Sequence, residues 1–218
     1  MASGDAEQQE LDRILRELGL AATGAQVSAL RRYLDLIEQW NGAFNLTAVR
    51  NRSAMLYQHL ADCLAVVPAL HRQSCAGRLL DVGSGAGLPG VVISILDPGL
   101  SVTCVDAVTK KAAFIRQVAG DLQLKNLTAV HTRVEALADE PFDVITSRAF
   151  SSLSLFASMT ERLLASPQGL WFAMKGKLPE TEITELPQTV DAFHVERLQV
   201  PGLGAERCLV WMRRRDVR

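Results

Sequence analysis

Leu79-Leu80-Asp81-Val82 runs directly into Gly83-Ser84-Gly85-Ala86-Gly87-Leu88-Pro89-Gly90, and a second apolar run, Val102-Thr103-Cys104-Val105, ends in Asp106. An apolar run that stops in closely spaced glycines suits a parallel strand whose chain must turn sharply and let a bulky ligand rest on bare backbone. A carboxylate closing the next strand can accept both hydroxyls of a ribose. Together the two signals describe a nucleotide-cofactor site, with the ligand lying where the following helix begins. A ligand-free glycine turn would need neither the downstream acid nor the strand-loop-helix setting.

Two cofactors fit this pattern to different degrees. Gly85-Ala86-Gly87-Leu88-Pro89-Gly90 satisfies G-x-G-x-x-G, and Asp106 follows at the roughly 20-residue interval of a dinucleotide site, which points to NAD and an oxidoreductase. The register points elsewhere. Gly83 is the first glycine after the strand and Asp81 stands two residues before it, so the order acid-x-Gly-x-Gly-x-Gly resembles motif I of class I S-adenosylmethionine-dependent methyltransferases. A pyrophosphate binds helix-terminal N–H groups and is repelled by a neighbouring carboxylate. S-adenosylmethionine has no phosphate and carries a sulfonium and an ammonium, which acids attract, so Asp81 favours the methyl donor.

The elements that must position these residues can be traced along the chain. At 218 residues, with 48% hydrophobic and 22% charged side chains, it can bury one α/β core with a small appendage and lacks the composition of a disordered protein. Apolar residues at helical spacing predict helices near 8–18 and 24–40 and another near 53–70. Residues 1–72 are thus expected to form a helical extension, and 73–218 a Rossmann-like domain. From Leu79 onward strand and helix alternate, which predicts an α/β fold with a mostly parallel sheet and helices on both faces. Strands are expected near 79–82, 101–105, 127–131, 142–146, 169–174, 192–199 and 207–213, the last two as a hairpin. Helices are expected near 88–97, 109–120, 133–138, 152–165 and 179–186.

Other features exclude whole classes. The first ten residues lack the basic-then-apolar order of a secretory signal and no stretch is long enough to span a bilayer, so a cytoplasmic protein without membrane contact is expected. Cys63, Cys75, Cys104 and Cys208 lack C-x-x-C spacing and should be reduced and buried, with no metal bound. A formal net charge of −1 offers nucleic acid no general attraction, so RNA contacts would come from local patches. Arg31-Arg32, Lys110-Lys111, Lys175 with Lys177, and Arg213-Arg214-Arg215 are the candidates, each of which could equally be a solvated surface cluster.

Several phrases, spread over nearly the whole chain, resemble the GidB/RsmG-type methyltransferase family, which modifies guanine N7 in small-subunit (16S) ribosomal RNA. They are Trp40-Asn41, Phe44-Asn45-Leu46-Thr47-Ala48-Val49-Arg50, His59 with Asp62, the loop from Asp81 to Gly90, Phe114-Ile115-Arg116-Gln117-Val118, Arg133-Val134-Glu135, Ser147-Arg148-Ala149-Phe150, Lys175-Gly176 and Glu206-Arg207. The resemblance implies a class I S-adenosylmethionine-dependent methyltransferase fold with a seven-stranded sheet. It implies cofactor contacts from Gly83, Leu88, Asp106, Val134, Glu135 and Arg148, and a monomer whose partner is small-subunit ribosomal RNA or the subunit itself. Cys63 and Cys208 depart from residues common in the family and bear on substrate details only.

Guanine N7 carries an in-plane lone pair on the major-groove edge, so its methylation needs no prior deprotonation and no general base. Consistent with that, Phe142-Asp143-Val144-Ile145-Thr146-Ser147-Arg148 lacks the Asn-Pro-Pro-aromatic phrase of amine methyltransferases and the Pro-Cys of enzymes that link covalently to pyrimidines. Arg148 is the candidate catalytic residue, orienting guanine or donor; Arg133 and Lys175 are candidates for holding phosphates. Structural duties compete with each of these. Arg148 could pair with Asp62 or Asp143, Glu135 could favour a helix N-terminus, His59 could be a packing residue, and Asn45 could cap a turn. A methyltransferase of small molecules or proteins, an NAD-linked oxidoreductase and a silent S-adenosylmethionine-binding module stay open as alternatives.

Overall fold

A computed structural model describes residues 2–138, 140–148, 150–165 and 168–215. Helices α1 (Ala2–Glu17) and α2 (Gly24–Phe44) come first. Thr23 starts α2 with a reciprocal capping box to Gln26, and Asn45, in the left-handed region at φ 49°, stops it. The helix therefore runs past the expected end at Trp40, because Gly42 alone does not break a helix that the left-handed Asn45 ends. Next, α3 (Arg52–Met55) passes through one π-helical turn (Leu56–Ala61) into α4 (Asp62–Leu64), and α5 (Val67–Arg72) follows. The single helix expected over 53–70 is thus divided. Pro68, which cannot donate a backbone hydrogen bond, sits in the first turn of α5 and begins it afresh.

The sheet comprises β1 (Arg78–Val82), β2 (Ser101–Asp106), β3 (Leu127–His131), β4 (Val144–Arg148), β5 (Leu170–Lys175), β6 (Val190–Arg197) and β7 (Cys208–Arg214). Their order is β3-β2-β1-β4-β5-β7-β6; β1 to β5 are parallel, and β6 and β7 form an antiparallel pair against β5. Strand order reverses between β1 and β4, so the ligand crevice of such a sheet lies at the carboxyl ends of these two strands. Helices α6 (Gly90–Leu96), α7 (Thr109–Asp121), α8 (Leu153–Thr160) and α9 (Glu180–Thr184) complete the alternation.

Period-two alternation divides the strand side chains between two cores. Leu79, Val102, Val144, Phe172 and Trp211 pack with α6, α7 and the N-terminal helices, in one apolar cluster that reaches back to Leu11 and Ile14 of α1. Leu80, Val105, Ile145, Trp171 and Val210 pack with Phe156 of α8 on the other face. The expected elements differ in extent at several places: α1 begins at Ala2 where the start was expected near residue 8, and β6 spans Val190–Arg197 where 192–199 was expected. Strand β4 lies two residues later than expected, because Phe142 makes only an isolated bridge to Leu164 and the Asp143 carboxylate accepts the Arg78 N–H; a two-residue shift keeps each side chain on its face. The helix expected over 133–138 is a single 3-10 turn (Val134–Ala136), and the one over 152–165 ends as α8 at Thr160, followed by a 3-10 turn (Glu161–Leu163).

Candidate active site

Backbone geometry explains the glycine spacing after β1. Gly83, Gly85 and Gly87 have φ of 67°, 59° and 85°, a region that costs an L side chain roughly 1–2 kcal/mol. Nothing stands within 4 Å of the point where a Cβ on Gly83 would lie, so this backbone faces open space. Gly90 serves packing instead. A Cβ there would fall 2.5 Å from Cys104 Sγ and 2.9 Å from the Asp81 carboxylate, so its absence lets α6 close on the sheet. From α2, the buried Tyr33 hydroxyl donates to the Ala86 carbonyl and ties the loop to the helical extension.

Asp106 folds back onto this loop. Its Oδ2 accepts the Gly85 N–H at 2.9 Å and its Oδ1 the Val108 N–H at 2.8 Å. A carboxylate has about four acceptor positions, so about two are left for ribose hydroxyls. Adjoining it is a cavity of about 200 Å³, walled by Val82, Gly83, Val105, Asp106, Val134 and Phe150, with Arg133 and Glu135 also lining it. Arg162 holds the Val134–Glu135 wall in place by donating to both carbonyls, at 2.8 and 2.9 Å. A bare-backbone cradle, an acid with acceptor positions to spare and an apolar wall fit the adenosine of S-adenosylmethionine.

Of the residues expected to touch cofactor, Gly83, Asp106, Val134 and Glu135 meet at this cavity, and Arg133 joins them. Leu88 is buried in the core beneath the loop and Arg148 lines a different cavity. Asp81 is wholly buried as well. Its Oδ2 accepts the Gly90 N–H at 2.9 Å while Oδ1 has no partner, and burial pushes its carboxyl up to about 7 against the pull of that hydrogen bond and of Arg148. Asp81 thus anchors the start of α6 from below, where the sequence had suggested an acid attracting the donor's cationic groups.

Across the end of β4 lies the second cavity, about 340 Å³ in volume, lined by Gln58, His59, Asp62, Arg148, Lys175 and Arg207 among others. Arg148 donates to the Gln58 carbonyl at 2.9 Å and to Asp62 Oδ2 at 3.2 Å, while Arg207 Nε donates to Asp62 Oδ1 at 2.7 Å. Asp62 is therefore the structural partner of Arg148, and Asp143 is not. Burial, then the Arg148 charge, pushes the His59 imidazole down to about 4, which keeps it neutral near pH 7; its Nε2 meets Thr47 Oγ1 at 2.8 Å. All three donors of Lys175 have internal partners, Glu182 Oε1 and Oε2 at 3.0 and 2.8 Å and the Phe150 carbonyl at 3.2 Å. The Phe150 carbonyl links the walls of the two cavities; Ala149 of the Ser-Arg-Ala-Phe phrase lies outside the described residues.

Residues 26–210 match the family model described as GidB, rRNA small subunit methyltransferase G. The chain belongs to the GidB family. It is 54% identical over 209 residues to ribosomal RNA small subunit methyltransferase G of Methylibium petroleiphilum, a match covering 95% of this chain and 94% of that relative. To the protein of the same name from Leptothrix cholodnii it is 52% identical over 215 residues, covering 96% and 98%. Among solved structures, the glycopeptide N-methyltransferase MtfA complexed with S-adenosylmethionine matches with a TM-score of 0.58 at 15% identity, over 72% of this chain and 95% of that one, a likeness of fold. This GidB chain is an enzyme, a methyltransferase with the class I S-adenosylmethionine-dependent fold.

Several groups that shape the methyltransferase site carried no motif in the sequence. Tyr33 and Arg162 act through long-range hydrogen bonds to backbone carbonyls, and their sequence neighbourhoods read as ordinary amphipathic helix. The basic patches are largely engaged internally: Arg32 makes a bidentate contact with Asp121, Arg213 pairs with Asp191, and Arg214 donates to backbone carbonyls of the segment 161–165. Among the described residues no group of three or more His, Cys, Asp or Glu could hold a metal, and no helix is long and apolar enough to cross a membrane. All four cysteines are free; Cys63, Cys104 and Cys208 are buried and Cys75 is half-buried.

Proposed function

We propose that this protein transfers a methyl group from S-adenosylmethionine to N7 of a guanine in small-subunit (16S) ribosomal RNA. One observation carries the site assignment: the open cradle at Gly83 and the Asp106 carboxylate share a cavity at the point where strand order reverses, with Arg148 at the end of the adjoining strand. S-adenosylmethionine, when bound, supplies an electrophilic methyl group. Gly83 gives it bare backbone, Asp106 takes the ribose, and Val134 packs on the adenine. Leu88 contributes by shaping the loop from below, and Glu135 by its place on the rim.

Guanine N7 attacks through its own lone pair, so the chain has to position the base and exclude water, with no proton to remove. The neutral His59 and the hydrogen-bonded Arg148 are consistent with that demand, since neither is a base poised to take a proton. Arg148 orients the reacting groups from the end of β4. Arg133, exposed beside the cofactor cavity, holds RNA phosphate; Lys175 steadies the Phe150 segment through its internal bonds. A base stacked within A-form RNA is out of reach, so the guanine comes from a loop or is flipped out. The helical part, 1–72, and the Rossmann-like part, 73–218, work as one monomeric body in the cytoplasm, where ribosomal subunits are found.

The test is transfer of labelled methyl from S-adenosylmethionine to small ribosomal subunits from cells lacking this protein, followed by nucleoside analysis. Label in N7-methylguanosine is the expected result. Label in another nucleoside, or none while calorimetry shows donor bound, overturns the assignment.

A further inference from the structure

We infer that the cavity on the far side of β4 receives the target base, and that Asp62 selects guanine by accepting hydrogen bonds from N1–H and the N2 amine. The inference rests on the guanine reading above. At about 340 Å³ the cavity falls in the size range of small-molecule sites. It adjoins the cofactor cavity through Lys175, in one wall, and Phe150, in the other, which are bonded to each other.

Guanine's edges fit this placement. N7 and O6 form the major-groove edge, and N7 must face the methyl donor. The Watson–Crick edge then turns away from the donor, into the cavity, and presents two adjacent N–H donors, which a carboxylate accepts best. Asp62 is almost wholly buried in the cavity wall, with Arg148 on one oxygen and Arg207 on the other. Those two bonds take about half of its four acceptor positions, and the paired guanidiniums fix its orientation. Adenine would present a lone pair at N1 and no N2 amine, leaving the carboxylate facing an acceptor. Cytosine and uracil have no N7 to methylate.

One further observation concerns this wall. Gln58 and His59 lie on the π-helical turn, a geometry that recurs at functional sites and here brings the Gln58 carbonyl to Arg148.

Inosine tests the contact directly, since it keeps O6, N1–H and N7 and lacks only the N2 amine. Small subunits are reconstituted with guanosine or inosine at the modified position, and kcat/KM is measured for the unaltered enzyme. Loss of a hydrogen bond to a charged group lowers kcat/KM on inosine about 10- to 100-fold. The Asp62→Asn variant should lose at least about 100-fold on guanosine with donor affinity within about threefold of the parent, and lose under about threefold more on inosine, because the lost pairing is the same one. Equal kcat/KM of the unaltered enzyme on both substrates overturns the inference whatever the variant does. Failure of the unaltered enzyme to methylate the guanosine subunit would instead overturn the functional proposal, so the two failures are distinct.

Discussion

Replacing Asp81 with Asn should change how stability depends on pH. The Asp81 carboxyl has an ordinary value of 3.8 and is pushed up to about 7 in the folded chain by burial. Between those values the folded protein keeps a proton that the unfolded chain has released. Stability contributed by this group is therefore full below the unfolded value and falls as pH rises towards the folded one. The slope is about 1.4 kcal/mol per pH unit and the whole effect about 4 kcal/mol, an upper figure because buried sites relax. His59 acts in the opposite sense: burial and Arg148 lower it from 6.5 to about 4, so its contribution is lost as pH falls through that window. The two effects nearly cancel in the parent over about pH 4 to pH 6.5. Only the difference between Asp81→Asn and parent isolates Asp81. The amide oxygen still accepts the Gly90 N–H, and any cost of burying the amide NH2 is the same at every pH. Urea unfolding of both proteins from about pH 5 to pH 8 gives that difference. The variant should gain on the parent by up to about 1.4 kcal/mol per unit until about pH 7 and then level off. A difference independent of pH would refute the account of Asp81 as a carboxyl kept protonated beneath the loop.

Gly83→Val should abolish S-adenosylmethionine binding in calorimetry while costing about 1–2 kcal/mol of stability from the left-handed backbone alone, since the new side chain projects into open space; unchanged donor affinity would show the cofactor cavity to be misplaced. Tyr33→Phe removes the hydroxyl bond to Ala86 and leaves a buried carbonyl without that partner, so urea unfolding should show a loss of about 1–3 kcal/mol, with weaker donor binding. Full stability in that variant would mean that the loop does not depend on α2.

How much of the site could be seen in the sequence varies with the range of the interaction. Gly83, Asp106, Val134 and Glu135 lie within short phrases at strand ends, and the rules of a parallel sheet bring strand ends together, so their meeting at one cavity was expected. Arg148 was placed correctly at a strand end, but Asp143 and Asp62 were equal candidates for its partner. Asp143 turned out to accept the Arg78 N–H, and the helix carrying Asp62 packs where Arg148 reaches it. Lys175, a candidate from the sequence for holding phosphate, is instead bonded to Glu182 of α9, whose packing no local pattern reveals. The segment 133–138 suggests a helix from its sequence but forms only the 3-10 turn Val134–Ala136, because so short an apolar run cannot distinguish one turn from several.

The seven strands, the glycine cradle and the acid at the end of β2 were determined by the sequence itself, since each follows from local preference: side-chain alternation, left-handed backbone and the chemistry of neighbouring residues. Tertiary structure alone decided which charges are free and which are held. Asp81 lies beneath the loop instead of beside the donor, Asp62 lies between two arginines, and Tyr33 reaches the loop from a helix far away in sequence. Burial and the distance to a partner fix the duty of a polar group, and both arise only when elements remote in sequence are packed together.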